Sequence, residues 1–298
     1  MITILGATGH VGGKIADILI KKGEKVRLVA RSADQLRPFV SKQAQAFVGD
    51  ALDTEFLVKA FKDTDAVYTL IPPNFKAEKF LDYADKIGES IARALEIERV
   101  NYVVNLSSGG AELPKGTGPI VGLNHMEERL NEIKGLKVLH LRPSYFMENL
   151  LWSIDLIKLK GINGDAVRGD LKFPMIATKD IAAYAAGRLM KRDFFGSSVR
   201  YLLGQRDLSM IEATEIIGRK INKPGLAYVM VPYDEAEKEM VGAGLSPDVS
   251  RLFIEMSRAF NEGRIRAEKR MPENTTPTSF ETFCDEVYVP AYKLVKAA

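Results

Sequence analysis

Residues 1–12 read MITILGATGHVG, a stretch that runs from an apolar segment into a glycine-rich loop. The apolar segment 2–5 is typical of a short buried strand, and apolar side chains at helical spacing predict a helix over 11–20. Three glycines lie at the junction: Gly6, Gly9 and Gly12. A second apolar run at 26–30 follows at the distance expected of a βαβ unit.

A glycine loop between a strand and a helix is suited to bind pyrophosphate. Such an anion needs backbone N–H groups, a helix N-terminus and a close approach that a Cβ atom would block. Gly6 permits the tight turn, Gly9 the close approach and Gly12 the packing of helix on strand. The spacing is GxxGxxG, not the GxGxxG of the usual dinucleotide fingerprint, and a plain glycine-rich turn is the competing interpretation.

The end of the second strand bears on the choice of dinucleotide. An acidic residue there usually holds the ribose 2′-hydroxyl of NAD(H), whereas a guanidinium fits a 2′-phosphate. Here Arg31 follows the strand and no acid does, which favours NADP(H) over NAD(H); a solvated charge is the alternative. Asp50 is a candidate partner for the adenine amino group and Pro72 stiffens the next loop, although turn chemistry alone explains either. The predicted cofactor-binding residues are Gly6, Thr8, Gly9, His10, Val11, Gly12, Arg31, Asp50, Ala51, Ile71 and Pro72.

Strands and helices alternate along the first half of the chain. The predicted strands are 2–5, 26–30, 45–48, 66–71, 102–106 and 138–141, and the predicted helices are 11–20, 53–61, 77–95 and 123–132. This α/β alternation predicts right-handed parallel crossovers and a doubly wound parallel Rossmann sheet.

After residue 142 the pattern changes. We predict a helix over 146–157, a turn region over 161–169, a helix over 178–190 that Thr178 caps, a strand over 199–203 that returns to the main sheet, and a helix over 279–287. The Rossmann domain is therefore expected to comprise 1–150 and about 177–206. A smaller, discontinuous C-terminal lobe would comprise about 151–176 and 207–298.

Composition narrows the class of protein. The chain is 46% hydrophobic and 27% charged, and its net charge of +3 is scattered, so no nucleic-acid partner is expected. The single cysteine, Cys284, excludes an intrachain disulfide and fits a reducing compartment. No apolar run is long enough to span a bilayer, and no cluster has metal-ligand spacing. A cytoplasmic protein without a membrane partner or a metal is expected.

The chain resembles the NmrA-like family of atypical short-chain dehydrogenase/reductase proteins in these segments: GATGHVG at 6–12, Asp50, Asp65-Ala66-Val67, Ser107-Ser108, Leu141-Arg142-Pro143 and Glu148-Asn149. The resemblance continues through 178–182 and 275–283. It implies a Rossmann domain with a small C-terminal lobe and a preference for NADP(H). It also implies either a reductase, often of quinones, or a redox-sensing regulator that acts on a partner protein.

The resemblance also shows that this chain lacks a pair of catalytic residues found in other short-chain dehydrogenases. Short-chain dehydrogenases use a Tyr-x-x-x-Lys pair, in which the lysine lowers the pKa of the tyrosine, but the matching segment 122–128 reads GLNHMEE. Ser107 lies where the family has its polarising serine. His125 is the candidate substitute proton donor, with a surface histidine as the alternative. Tyr145, in an aromatic-rich stretch, is expected to line the acceptor pocket, with ordinary packing as the alternative.

Two functions compete at this stage. The first is NADPH-dependent reduction of a small planar acceptor such as a quinone, with His125 and Ser107 as proton donors and Tyr145 beside the acceptor. A quinone tolerates a site without Tyr and Lys because its developing oxyanion needs only a weak proton donor. The second is a non-enzymatic NADP(H) sensor, which the missing pair favours. An epimerase-like enzyme has less support because it would need a Lys or Tyr base.

Overall fold

The computed structural model describes residues 1–40, 42 and 44–295. The strands are β1 Ile2–Leu5, β2 Val26–Ala30, β3 Gln45–Val48, β4 Ala66–Thr69, β5 Tyr102–Leu106, β6 Lys137–Pro143, β7 Tyr145–Phe146, β8 Ile162–Asp165, β9 Phe173–Ile176, β10 Ser197–Leu202, β11 Asp207–Leu208 and β12 Ala227–Met230. The α-helices are α1 Gly12–Lys21, α2 Ala33–Val40, α3 Thr54–Phe61, α4 Phe80–Ile97, α5 Val121–Asn131, α6 Ile154–Lys160, α7 Thr178–Lys191, α8 Met210–Lys220, α9 Tyr233–Gly242, α10 Pro247–Asn261, α11 Phe280–Phe283 and α12 Val289–Leu294. Shorter turns of 3₁₀-helix span Gly118–Ile120, Met147–Ser153 and Pro272–Asn274, and a π-helical turn spans Cys284–Tyr288.

Seven parallel strands form the main sheet in the order β10-β6-β5-β4-β1-β2-β3. This order confirms the predicted doubly wound Rossmann sheet. The direction of winding reverses between β1 and β4, and the crevice outside the carboxyl ends of these strands is where such sheets bind ligands. The glycine loop leaves β1 at this edge. None of the helices in the described residues is long and apolar enough to cross a bilayer.

Two buried clusters cover the two faces of the sheet. One face packs against α1 and α7 through side chains such as Ile15, Leu19 and Ile181, and the other packs against α3, α4 and α5 through Leu57, Ile91 and Met126. The inner strands β1, β2 and β4 are buried on both faces, as expected of a parallel sheet, whereas the edge strands β3 and β10 are more exposed. The predicted return of 199–203 is confirmed, since β10 pairs with β6 at the edge of the sheet.

The C-terminal half differs from the predicted elements in two places. The segment 146–157 is not one helix: β7 passes into a 3₁₀ segment before α6 begins at Ile154. The predicted turn region 161–169 contains β8, which pairs with β12 in parallel. The partner strand lies more than 60 residues away in the chain, so local hydrophobic spacing does not indicate this pairing. The predicted domain boundaries remain a prediction.

The N-terminus of α7 is capped by a distant carboxylate. We expected Thr178 to be the cap, but Ala177 occupies that position and Thr178 is the first helical residue. The buried carboxylate of Glu148 accepts the backbone N–H of Thr178 at 3.0 and 3.1 Å and also its hydroxyl group. A negative charge at this position accepts hydrogen bonds from free N–H groups and interacts favourably with the positive end of the helix dipole. Glu148 therefore ties the segment after β7 to α7.

His140 is a core residue of the main sheet. It is fully buried on β6, its Nδ1 lies 3.1 Å from Nδ2 of Asn105, and its Nε2 lies 2.9 Å from Oδ1 of Asn131. Asn105 in turn accepts the hydroxyl of Thr69 at 3.1 Å. The amide of Asn105 donates to Nδ1, and the side-chain oxygen of Asn131 accepts from Nε2. Both hydrogen bonds are possible when the imidazole ring is neutral and carries its proton on Nε2.

We expect His140 to make the fold sensitive to acid. Burial lowers its pKa to about 4, so between about pH 6.5 and that value the unfolded chain binds a proton that the native protein excludes. Stability should fall as the pH falls through this window, by about 3 kcal/mol in total. Urea unfolding of His140→Gln across the window should lose this slope. His10→Gln, at an exposed position, is the control, and a slope that survives in His140→Gln would contradict the assignment.

Candidate functional site

The glycine loop has the geometry that the sequence predicts. Gly6 has a φ of +66°, and a Cβ atom on Gly12 would lie 2.3 Å from the carbonyl oxygen of Gly6. The N–H of Gly9 donates to that same oxygen at 3.0 Å, which closes the turn. Only glycine fits at position 12, because any side chain would push the start of α1 away from β1.

The outer surface of this loop suits an anion. Thr8, Gly9 and His10 are exposed at its crest, and the N–H groups of His10 and Val11 have no protein acceptor in the described part of the chain. The first turn of α1 contains no acidic residue, and Lys14 adds a positive charge beside the loop by donating to the carbonyl of His10 at 2.9 Å. Free N–H groups, a helix N-terminus and a cation are what a pyrophosphate requires.

A second part of the candidate site lies just beyond the carboxyl ends of β2 and β3. Arg31 and Asp50 are exposed there, and both are close enough to Tyr83 of α4 for their charges to act on its phenol. Burial raises the pKa of Tyr83, the charge of Arg31 opposes this rise and the charge of Asp50 adds to it. The Tyr83 hydroxyl donates to the carbonyl of Pro72 at 3.1 Å, so the loop after β4 reaches the same part of the site.

Arg31 has no carboxylate partner among the described residues, and its guanidinium is free for an anionic ligand. Arg37, the other basic side chain nearby in sequence, is already paired with Asp34 at 2.9 Å. Asp50 accepts the N–H of Leu52 at 3.0 Å, so turn chemistry explains part of its role, and Ala51 is buried beneath it.

The loop after β4 also borders an apolar cavity of about 160 Å³. Ile71 and Phe75 of the loop line it together with the start of α4, the start of α5 and Phe253 of α10. Phe75 lies between Trp152 and Phe253, with ring centroids 5.4 and 6.2 Å away. Trp152 is 66% exposed. Aromatic side chains from three separate segments thus meet beside the cofactor edge.

Buried hydroxyl groups without partners lie in the segments that follow β5 and β6. The Oγ atoms of Ser107 and Ser144 and the Oγ1 atom of Thr117 are buried and accept or donate no hydrogen bond among the described residues. The loop is held in place by its backbone, since Ser107 donates to Leu141 at 2.8 Å and Gly109 to Pro143 at 3.0 Å. Because native proteins satisfy most buried polar groups, such a set is a candidate position for a ligand or an ordered water that supplies the missing partners.

The helix that carries the Tyr-x-x-x-Lys pair in other short-chain dehydrogenases is α5. His125 of this helix faces α4, with Nδ1 3.0 Å from a carboxylate oxygen of Asp85, in a groove that also contains Glu128, Arg129 and Glu132. No hydrogen bond of the described residues joins His125 to Ser107 or Tyr145. Asn124, one position earlier, donates to the carbonyl of Ala111 at 2.9 Å and leaves its own buried oxygen without a partner.

Tyr145 begins β7 immediately beyond the end of β6. Its ring is half-buried and packs against Phe173 at a centroid distance of 5.5 Å. Burial raises the pKa of its phenol above the usual range, and the charge of Asp165 raises it further. Sequence reasoning missed two residues here, Tyr83 and Asp165. The one feature of the sequence that could have indicated Tyr83 is its position in the first turns of the helix after β4. For Asp165 it is the position at the end of a four-residue strand.

The chain is similar to known proteins in sequence and in fold. A model of the NmrA-like family matches residues 1–283. The chain is 24% identical over 257 residues to an NAD(P)H azoreductase from Xenophilus azovorans, which covers 86% of each chain. It superposes with a TM-score of 0.82 on an NADPH-dependent quinone oxidoreductase from Escherichia coli complexed with NADPH, at 17% identity over 97% of this chain and 100% of the other.

A triphenylmethane reductase from a Citrobacter species, complexed with NADP(H), gives a TM-score of 0.80 at 16% identity over 96% of this chain and 100% of the other. At these identities the two solved structures establish a shared fold. The family model spans nearly the whole chain, so the protein belongs to the NmrA-like family of NAD(P)-binding oxidoreductases, as the resemblance in its sequence predicts.

Proposed function

We propose that this protein is an NADPH-dependent reductase of a small planar acceptor. The observation that carries the proposal is the placement of three features at one edge of the sheet: the glycine loop, the unpaired guanidinium of Arg31, and a set of partnerless hydroxyl groups with Tyr145 beside them. Relatives named as an NAD(P)H azoreductase and a quinone oxidoreductase support a flat, conjugated acceptor.

The chain's own residues divide between holding the cofactor and receiving the acceptor. Gly6, Gly9 and Gly12 would leave room for the pyrophosphate, and Arg31 would bind the 2′-phosphate. When bound, the reduced nicotinamide supplies a hydride ion. Ser107 is our candidate proton donor at the end of β5, His125 is a second candidate, and Tyr145 would border the acceptor.

The role of Arg31 predicts a cofactor preference. A free guanidinium stabilises a 2′-phosphate by a charge-assisted hydrogen bond, so Arg31→Ala should weaken NADPH binding about 10-fold or more and leave NADH binding nearly unchanged. Fluorescence titration with both nucleotides measures this. Arg37→Ala, which removes a guanidinium already paired with Asp34, is the matched control. Equal binding of NADH and NADPH by the unmodified protein would contradict the proposed role.

The reductase is tested by following NADPH absorbance with a panel of neutral quinones and azo compounds. We expect turnover in the unmodified protein and slower turnover in Ser107→Ala, while His125→Ala separates the two candidate donors. Tight NADPH binding without oxidation by any acceptor would favour the alternative, a non-enzymatic NADP(H) sensor. The sequence of α5 supports that alternative because it lacks the Tyr-x-x-x-Lys pair.

A further inference from the structure

A small buried cluster beside the loop after β4 is separate from the two clusters that cover the sheet. Its members come from that loop, from the first turns of α4 and from α10, and they include Phe80, Ala84 and Val249. These three residues also line the apolar cavity of about 160 Å³. The start of α5 completes the cavity on its remaining side.

The lining of this cavity is apolar throughout. Among the described residues, every one that lines it is a glycine or carries an apolar side chain, and Phe75, Phe80 and Phe253 contribute aromatic rings. A charged group would lose its hydration here without gaining a partner. Rings such as those of Phe75 and Phe253, whose centroids lie 6.2 Å apart, pack well against a further aromatic ring. The cavity therefore suits a neutral aromatic ligand.

The side of the cavity that α10 forms is hydrogen-bonded to the loop after β4. Ser246, the N-cap of α10, donates its backbone N–H to the carbonyl of Phe75 at 2.8 Å and its hydroxyl to the carbonyl of Ala77 at 2.6 Å. Asp248, in the first turn of α10, accepts the N–H of Phe80 at 2.9 Å. These three bonds fix the N-terminus of α10 against the loop and the start of α4.

The opposite side of the cavity is held by close backbone contacts. A Cβ atom on Gly118 would overlap the carbonyl oxygen of Leu252, so the 3₁₀ turn before α5 touches the backbone of α10. A Cβ atom on Gly122 would lie 2.7 Å from that of Ala84, so α5 and α4 also meet closely. Because packed elements with such contacts move little, we expect the volume of the cavity to be a fixed limit.

The volume corresponds to one aromatic ring. An apolar cavity of about 150 Å³ is large enough to bind benzene, and this cavity measures about 160 Å³. Phe253 is the largest side chain that α10 contributes to the lining, and it is half-buried. Removing its ring would free the space of one further six-membered ring.

The cavity is separate from the place proposed for the acceptor. Ile71 borders it from the loop after β4, whereas Tyr145 follows β6 and is not among the described residues that line it. The strand β5 lies between β4 and β6, which corresponds to about 10 Å at the usual spacing of neighbouring strands. Since Ile71 is also a predicted cofactor-binding residue, a ligand in the cavity would be a neighbour of the cofactor.

We propose that this cavity is a binding site for a neutral ligand with a single aromatic ring, and that Phe253 sets the limit of one ring. The inference goes beyond the reductase function and does not depend on it, because the lining consists of the protein's own side chains.

The test compares toluene, naphthalene and benzoate by isothermal titration calorimetry, with the protein saturated by NADP⁺ and without it. Naphthalene adds a second ring and benzoate adds a negative charge. We expect toluene to bind at least about 10-fold more tightly than either, with or without NADP⁺. Burial of apolar area alone would favour naphthalene, so a preference for toluene indicates a size limit.

Phe253→Ala should reverse this order, so that naphthalene binds at least about 10-fold more tightly than toluene. Phe253→Leu, which disturbs packing less, should change the ratio in the same direction. Phe260→Ala is the matched control: Phe260 is a half-buried residue of the same helix that packs on Phe173 at a centroid distance of 5.9 Å and is not among the described residues lining the cavity. It should keep the preference for toluene.

Three results would overturn the inference. The first is naphthalene binding as tightly as toluene in the unmodified protein. The second is an unchanged preference for toluene in both Phe253 variants while their thermal unfolding remains cooperative. The third is toluene binding that requires NADP⁺, because the ring would then lie on the cofactor and not in the cavity. No result of this titration depends on NADPH oxidation, so the reductase is tested separately.

Discussion

Gly12→Ala should weaken NADPH binding by about 10- to 100-fold, since overpacking a tight contact costs about 1–3 kcal/mol and each 1.4 kcal/mol is tenfold in affinity. The added Cβ would lie 2.3 Å from the Gly6 carbonyl oxygen and 2.9 Å from its carbon, both backbone atoms that cannot rotate away. The loop or the first turn of α1 must shift, and either movement displaces the N–H groups of His10 and Val11. Titration by nucleotide fluorescence measures the loss.

Gly187→Ala is the matched control for this substitution. Gly187 lies inside α7, and a Cβ there would meet nothing within 4 Å, so alanine should raise the free energy of unfolding by about 0.5–1 kcal/mol through its higher helix propensity. Its cofactor affinity should be unchanged. Normal NADPH binding in Gly12→Ala would show that the loop tolerates a side chain, and the pyrophosphate assignment would then be wrong.

Arg142→Ala should lower the free energy of unfolding by about 3–5 kcal/mol, because it leaves a buried carboxylate unpaired. Arg142 binds both oxygens of Glu127, at 3.0 and 2.5 Å, and their side chains are only 12% and 5% exposed. Burial alone would lower the pKa of Arg142, but the hydrogen bonds and charge of Glu127 raise it overall. The guanidinium also donates to Tyr201 at 2.9 Å, which joins α5 to β6 and to the edge strand β10.

Urea unfolding of two further variants separates the unpaired charge from general damage to the core. Arg142→Met combined with Glu127→Leu removes both charges and should recover most of the loss, since well-packed apolar groups replace buried ion pairs at little cost. Lys160→Ala breaks a pair with Glu239 in which both side chains are largely exposed, and it should cost less than about 1 kcal/mol. A double variant as unstable as Arg142→Ala would contradict the explanation.

Much of the Rossmann half of the fold follows from local patterns in the sequence. The strands β1, β2, β3 and β5 have the predicted bounds. For β1, β2 and β5 the reason is that a parallel strand buried on both faces is a largely apolar run between polar turns. The segment 146–157 was harder to predict. Its apolar residues fit a strand, a 3₁₀ turn or a helix equally well, and contacts with distant residues decide between them.

The candidate functional site also has one part that the sequence predicts and another that it does not. The positions of Gly6, Gly9, Gly12 and Arg31 follow from their place at the ends of β1 and β2, since the order of elements alone brings those ends to one edge. The surroundings of His125 do not follow: its partner Asp85 lies on a different helix, and nothing in the spacing of either residue indicates the other.

The sequence by itself determined the glycine loop, the winding of the sheet, the family and the lack of a Tyr-x-x-x-Lys pair in α5. These features are encoded in residues close together in the chain. Only the tertiary structure brought Glu127 to Arg142 and Glu148 to the start of α7. The physical reason is that a charge or a hydroxyl group interacts through space with the groups within a few ångströms of it. Folding brings these groups together from segments that are far apart in the chain, and the sequence of one segment does not indicate the other.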